Sequence, residues 1–443
     1  MASLVRPAAS DRRAAGATLA LLVAGLVLLL VATKSPLEVV VIVGALVVVF
    51  VCILRIEVAI LVLVASAPLE SAITLGSSSQ LTITKLAGAL CFGAFALNAV
   101  ATQRRLIFDA GHALVFLLLG LALVSTLRAE ELSPAIVTTT RYASFVALFF
   151  VVSQFVGASG VQRRIAWTLS IASAVTGVLA SWNFLSGVTL SARLPNGDPN
   201  DIAFILATTL PFTMWLLRER GWLRAAATVL TAVIGVSILL TLSRGALVGL
   251  GAGLFWYTIG ERRKGRGALL AAGAVIGLAV LLVVQLDHHR IETGLRAKQK
   301  VASTNVQTRL EAWNAAARLA ADHPLTGVGP GNFPGHYLEE TGRPPGTKVL
   351  AVVHDTYLDV ASELGIVALI LSLAYLVVAF WRLSTAVAKG LGPPGFASAA
   401  RVSLVIGVAA GLTLSEQYFA PFWLLGALAS ALVHEQDPAP APV

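Results

Sequence analysis

Four polar features interrupt a chain that is otherwise almost continuously apolar, and their residue types suit chemistry on a phosphorylated, hydroxyl-bearing substrate. The first is the loop Arg193-Leu194-Pro195-Asn196-Gly197-Asp198-Pro199-Asn200-Asp201. The second is Leu242-Ser243-Arg244-Gly245, a hairpin between two strongly apolar runs. The third is Arg309, and the fourth is His354 in Val353-His354-Asp355-Thr356-Tyr357-Leu358. An arginine guanidinium holds phosphate in a bidentate fork and stays charged at any working pH. An imidazole, with an ordinary pKa of about 6.5, suits proton transfer near neutrality. Three arginines beside one histidine would therefore serve a diphosphate leaving group next to a general base.

Each group also has a plain structural use. Arg244 alone fits snorkelling to lipid head groups, and Arg193 fits a loop charge before an Asx-Pro turn. Arg309 fits a solvated helix face, and His354 a helix start at the interface. The combination is what favours a site. Beyond His354, Asp355, Asp359 and Glu363 recur at i, i+4 and i+8 and share one helical face. Such carboxylates are expected to line a hydrated cavity or pair with the arginines, and a cation path is the rival use. His288-His289 point apart on a helix without a carboxylate at ligand spacing, and Asp198 and Asp201 fit turn and cap roles better than a metal site. No Gly-rich nucleotide loop follows a strand, so no cofactor is expected.

The elements that must position these groups are membrane helices. The chain has 443 residues, 57% hydrophobic and 12% charged, with a mean hydropathy of +0.84. Soluble domains carry about 25% charged residues. Cys52 and Cys91 lie in apolar runs and read as small core residues rather than a disulfide framework. The first apolar run lacks a cleavage pattern and reads as a span, not a signal peptide. A span needs about 20 apolar residues. Runs of this kind fall at 16–33, 37–54, 56–67, 82–100, 112–127, 139–157, 163–187, 200–217, 222–242, 244–260, 267–286, 355–381, 398–415 and 419–434. The short run 56–67 forms with 37–54 either one broken span or a re-entrant pair. The fold class expected is all-α: a polytopic membrane helix bundle of about 12–14 spans, with one large extracytoplasmic helical insert.

Basic residues set the orientation. With the N-terminus inside, eighteen of the 32 lysines and arginines fall in cytoplasmic segments, six in short external ones and eight in the segment 287–354. The +9 charge is thus mostly topological, and nucleic acid is not an expected partner. Three domains follow: an N-terminal transmembrane bundle (1–286), an extracytoplasmic insert (287–354), and C-terminal transmembrane helices with a short tail, Pro-rich from Asp437 and expected to be disordered (355–443). Within the insert, Asn305 to Ala321 reads as an amphipathic helix with Val306, Leu310, Trp313, Ala317 and Ala320 along one stripe. Ser303 and Thr304 are the expected caps, and Pro324 ends the run.

At these residues the chain resembles the O-antigen ligase and O-antigen polymerase superfamily. The resemblance rests on Arg193 to Asp201 running into Ile202-Ala203-Phe204, on Leu242-Ser243-Arg244-Gly245-Ala246 and on Thr308-Arg309-Leu310-Glu311-Ala312-Trp313. It continues in His323-Pro324-Leu325-Thr326-Gly327-Val328-Gly329-Pro330-Gly331-Asn332-Phe333 and in His354-Asp355-Thr356-Tyr357-Leu358 with Glu363-Leu364-Gly365. The fragments keep the family's order and span about 190 to 365. Asp355 departs from it, since many relatives carry asparagine or serine there. The resemblance implies a membrane glycosyltransferase whose donor is a glycan on polyprenyl (undecaprenyl) diphosphate and whose acceptor is a lipid-linked or glycan hydroxyl, without metal or nucleotide. It implies His354 as the essential histidine, Arg244 and Arg309 as diphosphate-holding arginines and, less firmly, Arg193. Ligation to a lipid-linked acceptor is the leading expectation. Glycan polymerisation uses the same parts, and a transporter or flippase is the alternative of another class.

Overall fold

A computed structural model describes residues 36–73, 82–103, 105–155, 159–194, 197–260, 266–342, 344, 352–416 and 420–434. The expected span at 16–33 and the tail from Asp437 lie outside the described residues. Fifteen helices are described: α1 (Pro36–Leu54), α2 (Ile56–Leu69), α3 (Ile83–Thr102), α4 (Ala110–Arg128), α5 (Leu132–Phe155), α6 (Ser159–Leu185), α7 (Pro199–Leu216), α8 (Trp222–Leu240), α9 (Arg244–Gly260), α10 (Arg266–Asp322), α11 (Phe333–Glu340), α12 (Thr356–Leu364), α13 (Ile366–Lys389), α14 (Phe396–Ala410) and α15 (Ala420–His434). Six of them, α3, α4, α5, α6, α8 and α13, are long and apolar enough to cross a membrane. Four shorter apolar helices accompany them. The protein is an all-α, multi-pass membrane bundle, with no strand among the described residues.

Two boundaries differ from the sequence expectation, while the expected break between 37–54 and 56–67 is present. The insert helix does not begin at a Ser303–Thr304 cap, because α10 runs unbroken from Arg266 to Asp322 and joins the expected span at 267–286 to the insert. Its stripe is only partly as expected: Trp313 packs against the insert's buried cluster and Ala320 is buried, but Val306, Leu310 and Ala317 are turned outward. Val306 and Leu310 are 55% and 49% exposed, whereas Ala312, Ala315, Ala316 and Leu319 are buried against Val328, Phe333, Tyr337 and Val353. Alanines face the core because they allow loop and helix backbones to approach closely. The span expected at 355–381 is two helices, α12 and α13, broken at Gly365. Gly365 has φ +90°, and a Cβ there would lie 2.7 Å from the Leu325 carbonyl carbon, so the crossing loop forbids a side chain. Chain 56–69 forms its own helix, parted from α1 at the extended residue Arg55.

Without a hydrophobic drive between helices in lipid, close packing of small residues holds them together. Gly245, Gly249 and Gly253 form such a stripe on α9. A Cβ on Gly249 would stand 2.7 Å from the Ile406 carbonyl oxygen of α14, and one on Gly253 would stand 2.4 Å from Ile406 Cγ1. The stripe presses α9 onto α14 and brings Arg244, its first residue, beside the chain that leaves α14.

The opposite end of the bundle is closed by ion pairs. Arg163 makes a two-point contact with Glu219 (2.5 and 2.9 Å), and Arg164 pairs with Glu57. Deeper in, Asp109 caps α4 and holds His112 Nδ1 (2.9 Å), Arg382 Nη1 (2.8 Å) and His434 Nε2 (3.3 Å). The His112 ring reaches Ser153 Oγ at 2.9 Å. This knot ties α4, α5, α13 and α15. Burial works against the Asp109 carboxylate, but hydrogen bonds from the His112 side chain and backbone and the Arg382 and His112 charges outweigh it. They hold the carboxyl well below its usual range.

Candidate active site

One short segment, Gly411 to Glu416 between α14 and α15, gathers the groups that the sequence keeps far apart. Arg309 Nη1 donates to the Thr413 carbonyl oxygen at 3.2 Å. The same threonine packs on Gly245, where a Cβ would lie 2.5 Å from Thr413 Oγ1. Two residues on, Ser415 Oγ accepts the backbone N–H of His354 at 2.9 Å. Thr356 then locks the segment in place. Its N–H donates to Gly411 O (2.8 Å), its hydroxyl donates to Leu414 O (2.7 Å), and that hydroxyl accepts the Glu416 N–H (2.9 Å). Thr413, Leu414 and Ser415 carry no motif, and sequence reading missed them. A weak signal was available: three polar residues, Thr413, Ser415 and Glu416, close an otherwise apolar span.

Two backbone features sharpen the site. His354 sits at φ +62° and Leu242, two residues before Arg244, at φ +56°. Left-handed backbone is uncommon for non-glycine residues and an outlier for leucine. Such strain persists where surrounding structure over-determines it and clusters at functional positions. Leu242 reaches α10 at Gly294, where a Cβ would meet its Cδ1 at 3.3 Å. Its hairpin is also tied to α7, because Ser243 Oγ donates to Asn200 Oδ1 at 2.8 Å.

Asp198 caps α7 by accepting the Asn200 N–H (2.7 Å), the turn role expected of it. It does more than that, since its charge also acts on Arg309 and His354. Arg309 is half-buried; burial and the neighbouring Arg244 cation lower its pKa, and Asp198 opposes them. His354 is pushed down to about 4, first by burial and then by the Arg309 cation, against Asp198. The imidazole is therefore neutral well below the ordinary value of about 6.5.

His354, Arg309 and Arg244 thus share one site. Arg193 lies apart from them: it is exposed, its carbonyl accepts from Asn183 Nδ2 (3.1 Å), and among the described residues no hydrogen bond or ion pair joins its side chain to the other three. The three carboxylates after His354 do not line one cavity. Asp355 caps α12 through the Tyr357 and Leu358 N–H groups (both 2.9 Å), Asp359 is buried, and Glu363 accepts the Phe333 N–H at 3.4 Å. The glycine loop 327–331 crosses α12 here, with Gly329 N–H on Glu363 O at 3.0 Å. Below Thr356 a cavity of about 40 Å³ is lined by Tyr142, Tyr357, Tyr375 and Trp423. It has room for a few waters and not for a sugar ring. Among the described residues no group of three or more His, Cys, Asp or Glu side chains is arranged to hold a metal ion.

Residues 226–373 match the family model described as O-antigen ligase. The matched stretch contains Arg244, Arg309 and His354, and it leaves out Arg193, Asp198 and the segment 411–416. No curated protein matches the chain. Across about a third of its length, where the arginines and the histidine converge, this multi-pass membrane protein is thus similar to the O-antigen ligase family.

Proposed function

We propose that the protein transfers a preassembled glycan from polyprenyl (undecaprenyl) diphosphate to the hydroxyl of a lipid-linked acceptor, at the outer face of the inner membrane. One observation carries the reading: Arg309 donates to Thr413, Thr413 packs on Gly245 directly after Arg244, and the His354 backbone N–H donates to Ser415, two residues along the same segment. In the reaction the acceptor O–H bond breaks and its oxygen bonds to the anomeric carbon. The bond from that carbon to the diphosphate oxygen breaks, and the electron pair leaves on the diphosphate. His354, neutral at working pH, takes the proton, a contribution of roughly 10²–10⁴-fold. Arg244 and Arg309 hold the developing diphosphate charge in a partly desolvated place, where fixed cations act most strongly. They supply the positive charge this leaving group needs, so no metal ion is assigned to the step. Arg193, on the exposed loop that carries Asp198, meets the outlying part of the same donor.

The orientation rests on the bias of basic residues toward one side, eighteen against six in the short segments. On that basis residues 287–354 face outward between two transmembrane units, 1–286 and 355–443. Asp355 caps α12 and Glu363 accepts the Phe333 N–H, which favours structural uses for these carboxylates over the alternative of a transport path.

The test is transfer by purified protein from undecaprenyl-diphosphate oligosaccharide to glycolipid extracted from cells lacking the gene. His354→Ala, Arg244→Ala and Arg309→Ala should each lose at least about 100-fold in rate. Full activity in all three would remove the site. A product in which oligosaccharide grows on the donor lipid itself would make the reaction polymerisation.

A further inference from the structure

Three non-glycine residues among those described have left-handed backbone: Gln103, Leu242 and His354. Gln103 ends α3, where helices often finish in this way, and Leu242 closes the hairpin before α9. His354 does neither. It stands one residue before the cap of α12, so its φ of +62° needs another cause.

The cause is a clamp on both sides of its Cα atom. φ turns about the N–Cα bond, so it is fixed when the N–H and the chain beyond Cα are each held. Ahead of it, Val353 is 0% exposed in the buried cluster of the insert, and the His354 N–H donates to Ser415 Oγ at 2.9 Å. Beyond it, the Asp355 carboxylate takes the Tyr357 and Leu358 N–H groups, and the Thr356 N–H donates to Gly411 O. Relaxation to ordinary β backbone would turn φ by more than about 100° and swing the imidazole away.

The two hydroxyls at this junction do different work. Thr356 spends its N–H and both sides of its hydroxyl on Gly411, Leu414 and Glu416, which fixes the segment and with it the Thr413 carbonyl that receives Arg309. Ser415 spends its oxygen on His354 alone among the described residues. Removing the Ser415 hydroxyl therefore leaves Thr356 to hold the arginine's partner in place.

We propose that Ser415 is a positioning residue for His354: its hydroxyl keeps the histidine backbone left-handed, and through that backbone it keeps the imidazole in the site, independently of the arginines. The proposal rests on the reading of His354 as the base and names what aims it.

The experiment uses the full chain in detergent, undecaprenyl-diphosphate oligosaccharide as donor, and glycolipid extracted from cells lacking the gene as acceptor. Ser415→Ala should lower kcat about 10-fold or more, the loss a displaced catalytic group causes, with donor KM within about twofold of wild type. In protein already carrying His354→Ala, the same substitution should change the residual rate by less than about twofold, because the group it acts through is gone. Carbethoxylation of His354 by diethyl pyrocarbonate at neutral pH, followed by mass spectrometry, needs no turnover and should be faster in Ser415→Ala. Equal losses with and without His354 overturn the proposal, because the hydroxyl then serves the fold. So does a donor KM that rises as kcat falls, or an unchanged rate of carbethoxylation. If the wild-type protein transfers nothing, the glycosyl-transfer reading fails, and the carbethoxylation rate alone decides whether Ser415 holds His354.

Discussion

At one end of the bundle Arg163, Arg164 and Arg382 each lean on a carboxylate; at the other, Arg244 and Arg309 lean on a backbone carbonyl and on each other's neighbourhood. Among the described residues, neither Arg244 nor Arg309 has a carboxylate within ion-pair distance, although Asp198 acts on Arg309 from further away. A neutralised cation holds helices together and has nothing left for a ligand. A cation left unneutralised and partly desolvated destabilises the empty protein and attracts an anion. The same residue type is structural at one end and, on the proposed function, a binding group at the other, and the carboxylate partner it lacks makes the difference.

The comparison breaks if the two ends respond alike to mutation. The largest expected effect is on activity: Arg309→Ala should reduce transfer by at least about 100-fold while leaving thermal unfolding in detergent close to wild type. Arg382→Ala should do the reverse, with near-normal turnover at low temperature and clearly earlier unfolding. Next comes Asp109→Asn, which strips Arg382 of its buried partner. Breaking such a pair costs about 3 kcal/mol, measurable as loss of folded protein on denaturation. The folded Asp109 carboxyl is held below its free value of 3.8. Its stabilisation is therefore complete above that pH and fades only as pH falls further.

A third effect is a displacement on the pH axis. The acid limb of kcat/KM should lie near pH 4, where His354 titrates, instead of near its ordinary 6.5. The sign follows from the depressed pKa: the neutral base persists on acidification and is lost only below that value. A limb at 6.5 would place His354 in open solvent. The smallest effect is at the rim of the paired end. Glu219→Gln breaks an exposed pair with Arg163 and should change stability by less than about 1 kcal/mol.

Much of the site's composition was legible in the sequence, because arginine and histidine stand out in apolar surroundings and their fragments fall in order. Its assembly was not. The segment that joins them, Thr413-Leu414-Ser415, works through a carbonyl, a close contact and one hydroxyl, none of which leaves a pattern of residue types. The amphipathic stripe of the insert was only partly legible: Trp313 and Ala320 do face the buried cluster, but close packing selected Ala312, Ala315 and Ala316 beside them in place of Val306 and Leu310. Ser303 and Thr304 suggested a helix start, but cap preference is worth about 1 kcal/mol and yields to continuous packing. The Gly245, Gly249 and Gly253 spacing was visible, yet a small-residue face has no meaning until its partner, Ile406 on α14, is known.

That glycine face has a consequence for inhibition. Because backbone meets side chain directly between α9 and α14, the seam has no slack, and a bulky residue at position 249 would act as a wedge deep in the bilayer. Prying there would lever the far tip of α14 and dislodge Thr413 and Ser415 together. A lipid-soluble molecule entering the seam could thus silence the enzyme without ever competing with its charged substrates.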